Sequence, residues 1–146
     1  MKVYQSIEHD HHIQRKLADQ MVQTSGDSRE RRQAFTALKQ ELAAHADAEE
    51  RYFYVPLIKL DSTQKAARHG IAEHQEIDEL VATLDDTEYD SPAWLHHAKK
   101  LADKVKHHLA EEEKDCFPVA KDQLSDDRAK QLGHEYLAAM QQARTE

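Results

Sequence analysis

In two stretches of this chain the apolar residues step by three and four, as they do on the inward face of a helix packed in a bundle. The first series is Phe35, Leu38 and Leu42, and the second is Trp94, Ala98, Leu101 and Val105. Neither series ends there. The first continues through His45, Glu49 and Tyr52, and the second through His108 and Glu112. An unpartnered buried carboxylate costs several kcal/mol, a large part of the whole stability of a small domain. Two such pairs in a core seam therefore need compensation, and metal ions supply it. Histidine and glutamate four residues apart lie one turn apart on one helix face, so an imidazole nitrogen and a carboxylate oxygen can converge on adjacent ions.

A complementary half lies in Asp10-His11 and Glu73-His74. His11 and His45 are 34 residues apart, and so are His74 and His108. The chain thus reads as an approximate repeat of two helical hairpins. Counting from the turn between them, His11 and His45 return to heights of roughly 20 and 24 Å at ~1.5 Å per residue. Packing the hairpins together puts four histidines and two glutamates in one layer. In this arrangement His11 and His45 hold one ion, His74 and His108 hold the other, and Glu49 and Glu112 bridge them. Six-coordination then leaves about two positions free on each metal.

Other readings of these residues stay open. The doubled histidines allow His12 or His107 in place of His11 or His108, though the repeat and the seam favour the latter. Glu113 competes with Glu112, but only Glu112 repeats the His45 to Glu49 spacing. The whole layer also has a reading as a satisfied polar layer without metal. Asp10 and Glu73 either accept a hydrogen bond from a ligand histidine or are solvated. His9, His69, His96, His97 and His134 show no pattern and read as surface residues. Tyr52-Phe53-Tyr54 reads as packing, and Cys116 as a small core residue.

The rest of the composition agrees with a helical bundle. Three Gly and three Pro in 146 residues leave few chain breakers, which predicts an all-α protein with long helices. Eleven His outnumber the three Phe, five Tyr and one Trp together, so something other than packing requires imidazole. The first helix is predicted over about 3–24 and the second over about 29–60, with Asp27 or Ser28 as its cap and Pro56 near its end. Asp61-Ser62 is expected to cap a third helix reaching Leu84. Ser91-Pro92 opens a fourth that runs to about Ala120 and is bent or ended by Pro118, and Ser125-Asp126-Asp127 opens a last helix to about Arg144. The prediction is a single domain over residues 1–146, an antiparallel up-down four-helix bundle with one additional C-terminal helix.

Twenty-eight Asp and Glu against 20 Lys and Arg give a net charge of −8, which argues against a nucleic-acid partner. No apolar run reaches the ~18 residues of a membrane span and no signal-peptide core opens the chain. These features, with one cysteine, fit a cytoplasmic protein without a membrane partner.

These motifs together resemble the hemerythrin-like, HHE cation-binding domain family. The matching pieces are Asp10-His11 with Arg15 four residues on, His45-Ala46-Asp47-Ala48-Glu49-Glu50, Glu73-His74, and His108-Leu109-Ala110-Glu111-Glu112-Glu113 ending in Phe117-Pro118. Ferritin-like di-iron proteins match less well, because their signature puts the carboxylate first, three residues before the histidine. The resemblance implies a bundle enclosing two iron ions with an oxo or hydroxo bridge, Glu49 and Glu112 between them, and histidine terminal ligands. Zinc, manganese or cobalt suit the same donors. Oxygen-carrying hemerythrins have a fifth histidine one turn before the counterpart of His74, where this chain has Gly70. The six-ligand set instead is similar to bacterial HHE domains and to the repair-of-iron-centres proteins, whose additional N-terminal cysteine-bearing domain has no counterpart among these 146 residues. A more open iron follows, unless His69, Glu73 or a water fills the gap. The function implied is binding and reduction of a small oxidant, dioxygen, hydrogen peroxide or nitric oxide. The alternative is storage, donation or sensing of iron without turnover.

Overall fold

The computed structural model describes residues 1–146, and its chain forms five helical rods and no strand. The first rod is α1 (Val3–Val22). The second begins as α2 (Arg29–Glu49), passes through a π-helical turn (Glu50–Tyr54) and ends as α3 (Val55–Ile58). The third is α4 (Gln64–Asp85). The fourth repeats the build of the second, as α5 (Pro92–Glu111), a π-helical turn (Glu112–Cys116) and α6 (Phe117–Gln123). The last is α7 (Asp126–Thr145). Short connections make successive rods antiparallel. α1 packs on α2 and α5, α4 packs on α5 and on the α3 end of the second rod, and α7 lies against both α1 and α2. This is the four-helix bundle with an added C-terminal helix that the residue pattern predicts.

Three starts are capped as expected. The hydroxyls of Ser28, Ser91 and Ser125 accept from the backbone N–H groups of Arg31, Ala93 and Arg128, which would otherwise have no partner in the first turn. The third start differs from the expectation of Asp61-Ser62. The N-cap residue is Thr63, and its buried hydroxyl donates to the Leu57 carbonyl rather than capping α4. At the end of α3 that carbonyl also accepts from the Leu60 N–H, and its second lone pair takes the Thr63 hydroxyl, whose burial makes an unpaired donor costly.

Both π turns precede a proline. Proline has no N–H, so the carbonyl four residues before Pro56 or Pro118 loses its helical partner. The ladder widens instead: Val55 N–H donates to the Glu50 carbonyl and Phe117 N–H to the Glu112 carbonyl. A widened turn carries one extra residue and moves everything after it around the helix. The seam expected to pass from Glu49 to Tyr52 therefore turns Phe53 and Tyr54 inward, both fully buried, and leaves Tyr52 half-buried.

Two apolar cores result. One, with Ile7, Phe53, Leu57, Phe117 and Leu132, fills the end where the chain starts. The other, with Met21, Leu38, Leu84, Trp94 and Leu101, fills the end beneath the 23–28 and 86–91 loops. Leu42, Ile77 and Val105 belong to the second core. Between the two lies a buried polar layer that includes His11, His45, Glu49, Glu73, His74, His108 and Glu112. No helix is long and apolar enough to cross a membrane.

Candidate metal centre

The six residues singled out from the sequence converge in this layer from four rods: His11 on α1, His45 and Glu49 on α2, His74 on α4, His108 on α5, and Glu112 at the head of the second π turn. They form two sets whose donor atoms lie within 4.8 Å of one another. One set is His11, His45, Glu49 and Glu112, and the other is Glu49, His74 and His108. The histidines divide between the sets as the two-hairpin repeat suggests. Glu49 belongs to both sets, whereas Glu112 belongs to the first, and its Oε2 accepts a hydrogen bond from the Tyr54 hydroxyl.

The donor atoms have the chemistry a cation needs. His11 Nε2 lies 3.0 Å from Glu112 Oε1, and His74 Nε2 lies 3.0 Å from Glu49 Oε1. None of the four Nε2 atoms makes a hydrogen bond, and neither do both Glu49 oxygens and Glu112 Oε1. Buried polar atoms in proteins are almost always satisfied. Seven unsatisfied atoms facing one another, four imidazole nitrogens and three carboxylate oxygens, are a fitting donor set for metal ions.

On the outer side of the layer, two of the histidines are held by an acid that is itself held by a cation, and a third reaches such an acid through a tyrosine. His11 Nδ1 donates to Glu113 at 2.7 Å, and Arg15 donates to Glu113 at 2.8 Å. His108 Nδ1 donates to Glu73 at 2.8 Å, and Lys104 donates to Glu73 at 3.1 Å. His45 Nδ1 donates to the Tyr136 hydroxyl at 2.6 Å; that hydroxyl donates to Asp10, which also accepts from Arg144 at 2.7 Å. A carboxylate only accepts, so the proton on His11 and His108 resides on Nδ1 and the Nε2 lone pair faces inward. His74 differs: its Nδ1 is 3.9 Å from Glu50 and unpaired. Of the two readings open for Asp10 and Glu73, burial and these bonds select the one in which they orient histidines. His12, His107, His9 and His134 are exposed.

Charge follows the same pattern. Burial alone would raise Asp10, Glu73 and Glu113. The hydrogen bonds from their histidine, tyrosine, arginine and lysine partners prevail and hold each carboxyl at about 2. Burial works against a charged His45 or His74. Glu49 and Asp10 nevertheless hold His45 up to about 10, and Glu49 and Glu50 hold His74 up to about 9. Glu112 is pushed up by burial and by Glu49. Burial, with Glu112 and Glu49 close by, also pushes the Cys116 thiol up, so it remains an inert core thiol.

Gly70 does not leave an opening. A side chain there would run into the Tyr54 ring, so this phenol, rather than His69, Glu73 or a water, occupies the place. His69 is drawn off to Glu111 at 2.6 Å, and Glu73 to His108. Beside Tyr54 a cavity of about 550 Å³, lined by His69, Gly70, Glu73, His108 and Glu112 among others, reaches the edge of the layer from outside. Tyr54 and Tyr136 are positions of the candidate site that pattern reading missed. The signal for Tyr54 was Pro56, whose π turn rotates it inward. Tyr136 lies outside the repeat and gave none.

A cyanobacterial DNA nickase from Nostoc sp. (strain PCC 7120) is 26% identical over 118 residues, 81% of this chain and 33% of the nickase. The chain thus spans about a third of the length of that relative. The crystal structure of a hemerythrin HHE cation-binding domain-containing protein from Mycobacterium kansasii, a homologue of Rv2633c, superposes with a TM-score of 0.87. It covers 99% of this chain and 88% of the other at 23% identity, a likeness of fold. The sequence profile of the hemerythrin HHE cation-binding domain matches residues 2–120, and the chain belongs to that family.

Proposed function

We propose that the protein holds two iron ions in the His/Glu layer and reduces a small oxidant there, with hydrogen peroxide, dioxygen or nitric oxide as the candidate class. The observation that carries this reading is the inward-facing set of seven unsatisfied donor atoms at the meeting of two sets that share Glu49. Two ferrous ions in adjacent sites supply two electrons together, enough to convert one hydrogen peroxide and two protons into two waters; oxidation of a second peroxide to dioxygen returns both electrons and both protons.

The chain's own residues supply the rest. His11, His45, His74 and His108 each offer Nε2, with three of the rings fixed by Glu113, Tyr136 and Glu73 on the far side. Glu49 lies between the sets and supplies negative charge to both. Leu42, Ile77, Leu101 and Val105 keep water from one side of the layer. The cavity beside Tyr54 admits small molecules from the other, past His108 and Glu112. The nicking of the cyanobacterial relative is not carried over: the shared segment is a third of that protein, and a chain of net charge −8 is repelled by phosphate backbones.

The test is anaerobic reconstitution with ferrous iron, elemental analysis, and stopped-flow mixing with one equivalent of peroxide. The reading expects close to two irons per chain and peroxide consumed within the lifetime of the reduced centre. Two irons without consumption would move the protein to iron storage, donation or sensing. Retention of a single zinc instead would overturn the redox reading.

A further inference from the structure

The two donor sets are unequal. His11, His45, Glu49 and Glu112 make four donors, but Glu49, His74 and His108 make only three. The shortfall lies on the side of Gly70, where the Tyr54 phenol fills the place a longer side chain would take. Tyr54 is fully buried, its ring is tilted against that of His74 with centroids 5.4 Å apart, and its hydroxyl hydrogen-bonds Glu112 Oε2, leaving Oε1 as the unsatisfied oxygen. It also lines the cavity together with His108. The π turn that begins directly after Glu49 turns this residue inward. The same helix therefore delivers a donor to each set: His45 to the four-donor set, and Tyr54 beside the three-donor set.

Resting on the two-ion reading above, we infer that the Tyr54 phenol oxygen is a ligand of the metal held by His74 and His108, taking the place in space that Gly70 leaves. A phenolate is a hard oxygen donor that suits ferric iron. It would complete the poorer set and distinguish the two metals from each other by ligand type.

The test uses the metal-free protein and a spectroscopic readout rather than turnover. Gallium(III) and iron(III) are each added to the wild-type chain and to Tyr54→Phe and Tyr52→Phe. Metal content is measured beside the near-ultraviolet difference spectrum, in which ionisation of one tyrosine is resolved, and far-ultraviolet circular dichroism verifies that each variant is folded. The expected result is one tyrosinate formed per chain on metal binding, kept in Tyr52→Phe and lost in Tyr54→Phe. The ferric wild type should also show a visible charge-transfer band with resonance-enhanced tyrosine ring vibrations that Tyr54→Phe lacks. Metal bound without a tyrosinate signal, or a signal that survives in Tyr54→Phe, would overturn the inference and leave the two-ion reading standing. Failure of the wild type to bind any metal would overturn both.

Discussion

Gly70→Ala is a substitution whose sign discriminates. In the interior of a helix such as α4, alanine is ordinarily better than glycine by about 1 kcal/mol. Here the added methyl group meets Cζ, Cε1 and the hydroxyl of Tyr54 closer than side-chain carbons pack. Tyr54 is fully buried and pinned by Glu112, so a swing toward the neighbouring cavity would break that bond. Overpacking costs about 2 kcal/mol at such a place, and a displaced phenol loses its bond to a carboxylate, another ~1.5 kcal/mol or more. Less the helix preference, the net is a destabilisation of about 2–3 kcal/mol, or ~4–12 °C in Tm for a domain of this size. The assay is urea unfolding of the metal-free protein followed by circular dichroism. Repeating the substitution in a Tyr54→Ala background should reverse its sign to a gain of up to ~1 kcal/mol, a coupling of about 3 kcal/mol across the pair. Gly70→Ala as stable as the wild type, or an equal loss in both backgrounds, would refute the argument that the ring and the glycine share one space.

Tyr136→Phe removes the hydroxyl between His45 and Asp10 and should weaken metal binding about 10- to 100-fold in competition with a chelator, while saturated protein keeps its full metal content. Glu49→Ala should lower the metal content of both sets and Glu112→Ala mainly that of the first, because Glu49 lies in both; elemental analysis of reconstituted variants decides this. In the metal-free protein His45 and His74 are held up to about 10 and about 9, above the unfolded value near ~6.5. Their contribution to stability is therefore full below pH ~6.5 and lost as pH rises through 9 to 10. Urea midpoints measured from pH 6 to 10.5 should fall over that upper range.

The sequence made the layer legible because its residues obey the same periodicity as the core around them. His45, Glu49, His108 and Glu112 occupy the next steps of apolar series, and the 34-residue spacing of the histidines locates His11 and His74. The caps at Ser28, Ser91 and Ser125 follow from local chemistry. Tyr54 was not legible, because a regular helix projects Tyr52 from that face and only a π turn brings the later residue in. Proline marked a disturbance at both sites without saying whether the helix would end, bend or widen. Tyr136 and Arg144 were hidden for another reason. They reach the site from α7, which belongs to neither hairpin, so no internal spacing points to them. Thr63 stands where the cap was expected, and its buried hydroxyl bonds the Leu57 carbonyl at the end of α3, a partner invisible in the sequence.

The polar layer also divides the protein as a mechanical object. Each apolar core closes on itself at one end of the bundle, and the rods are continuous across the boundary while the greasy packing is not. Without ions, the plane between the cores is where the interior is least cohesive, so opening motions should begin there and the two halves should exchange amide protons as separate cooperative units. Ions bound in that plane act as rivets, welding two small folding units into one larger one. Loading the site would then be read out far from it, in the protection of amides at both ends of the bundle.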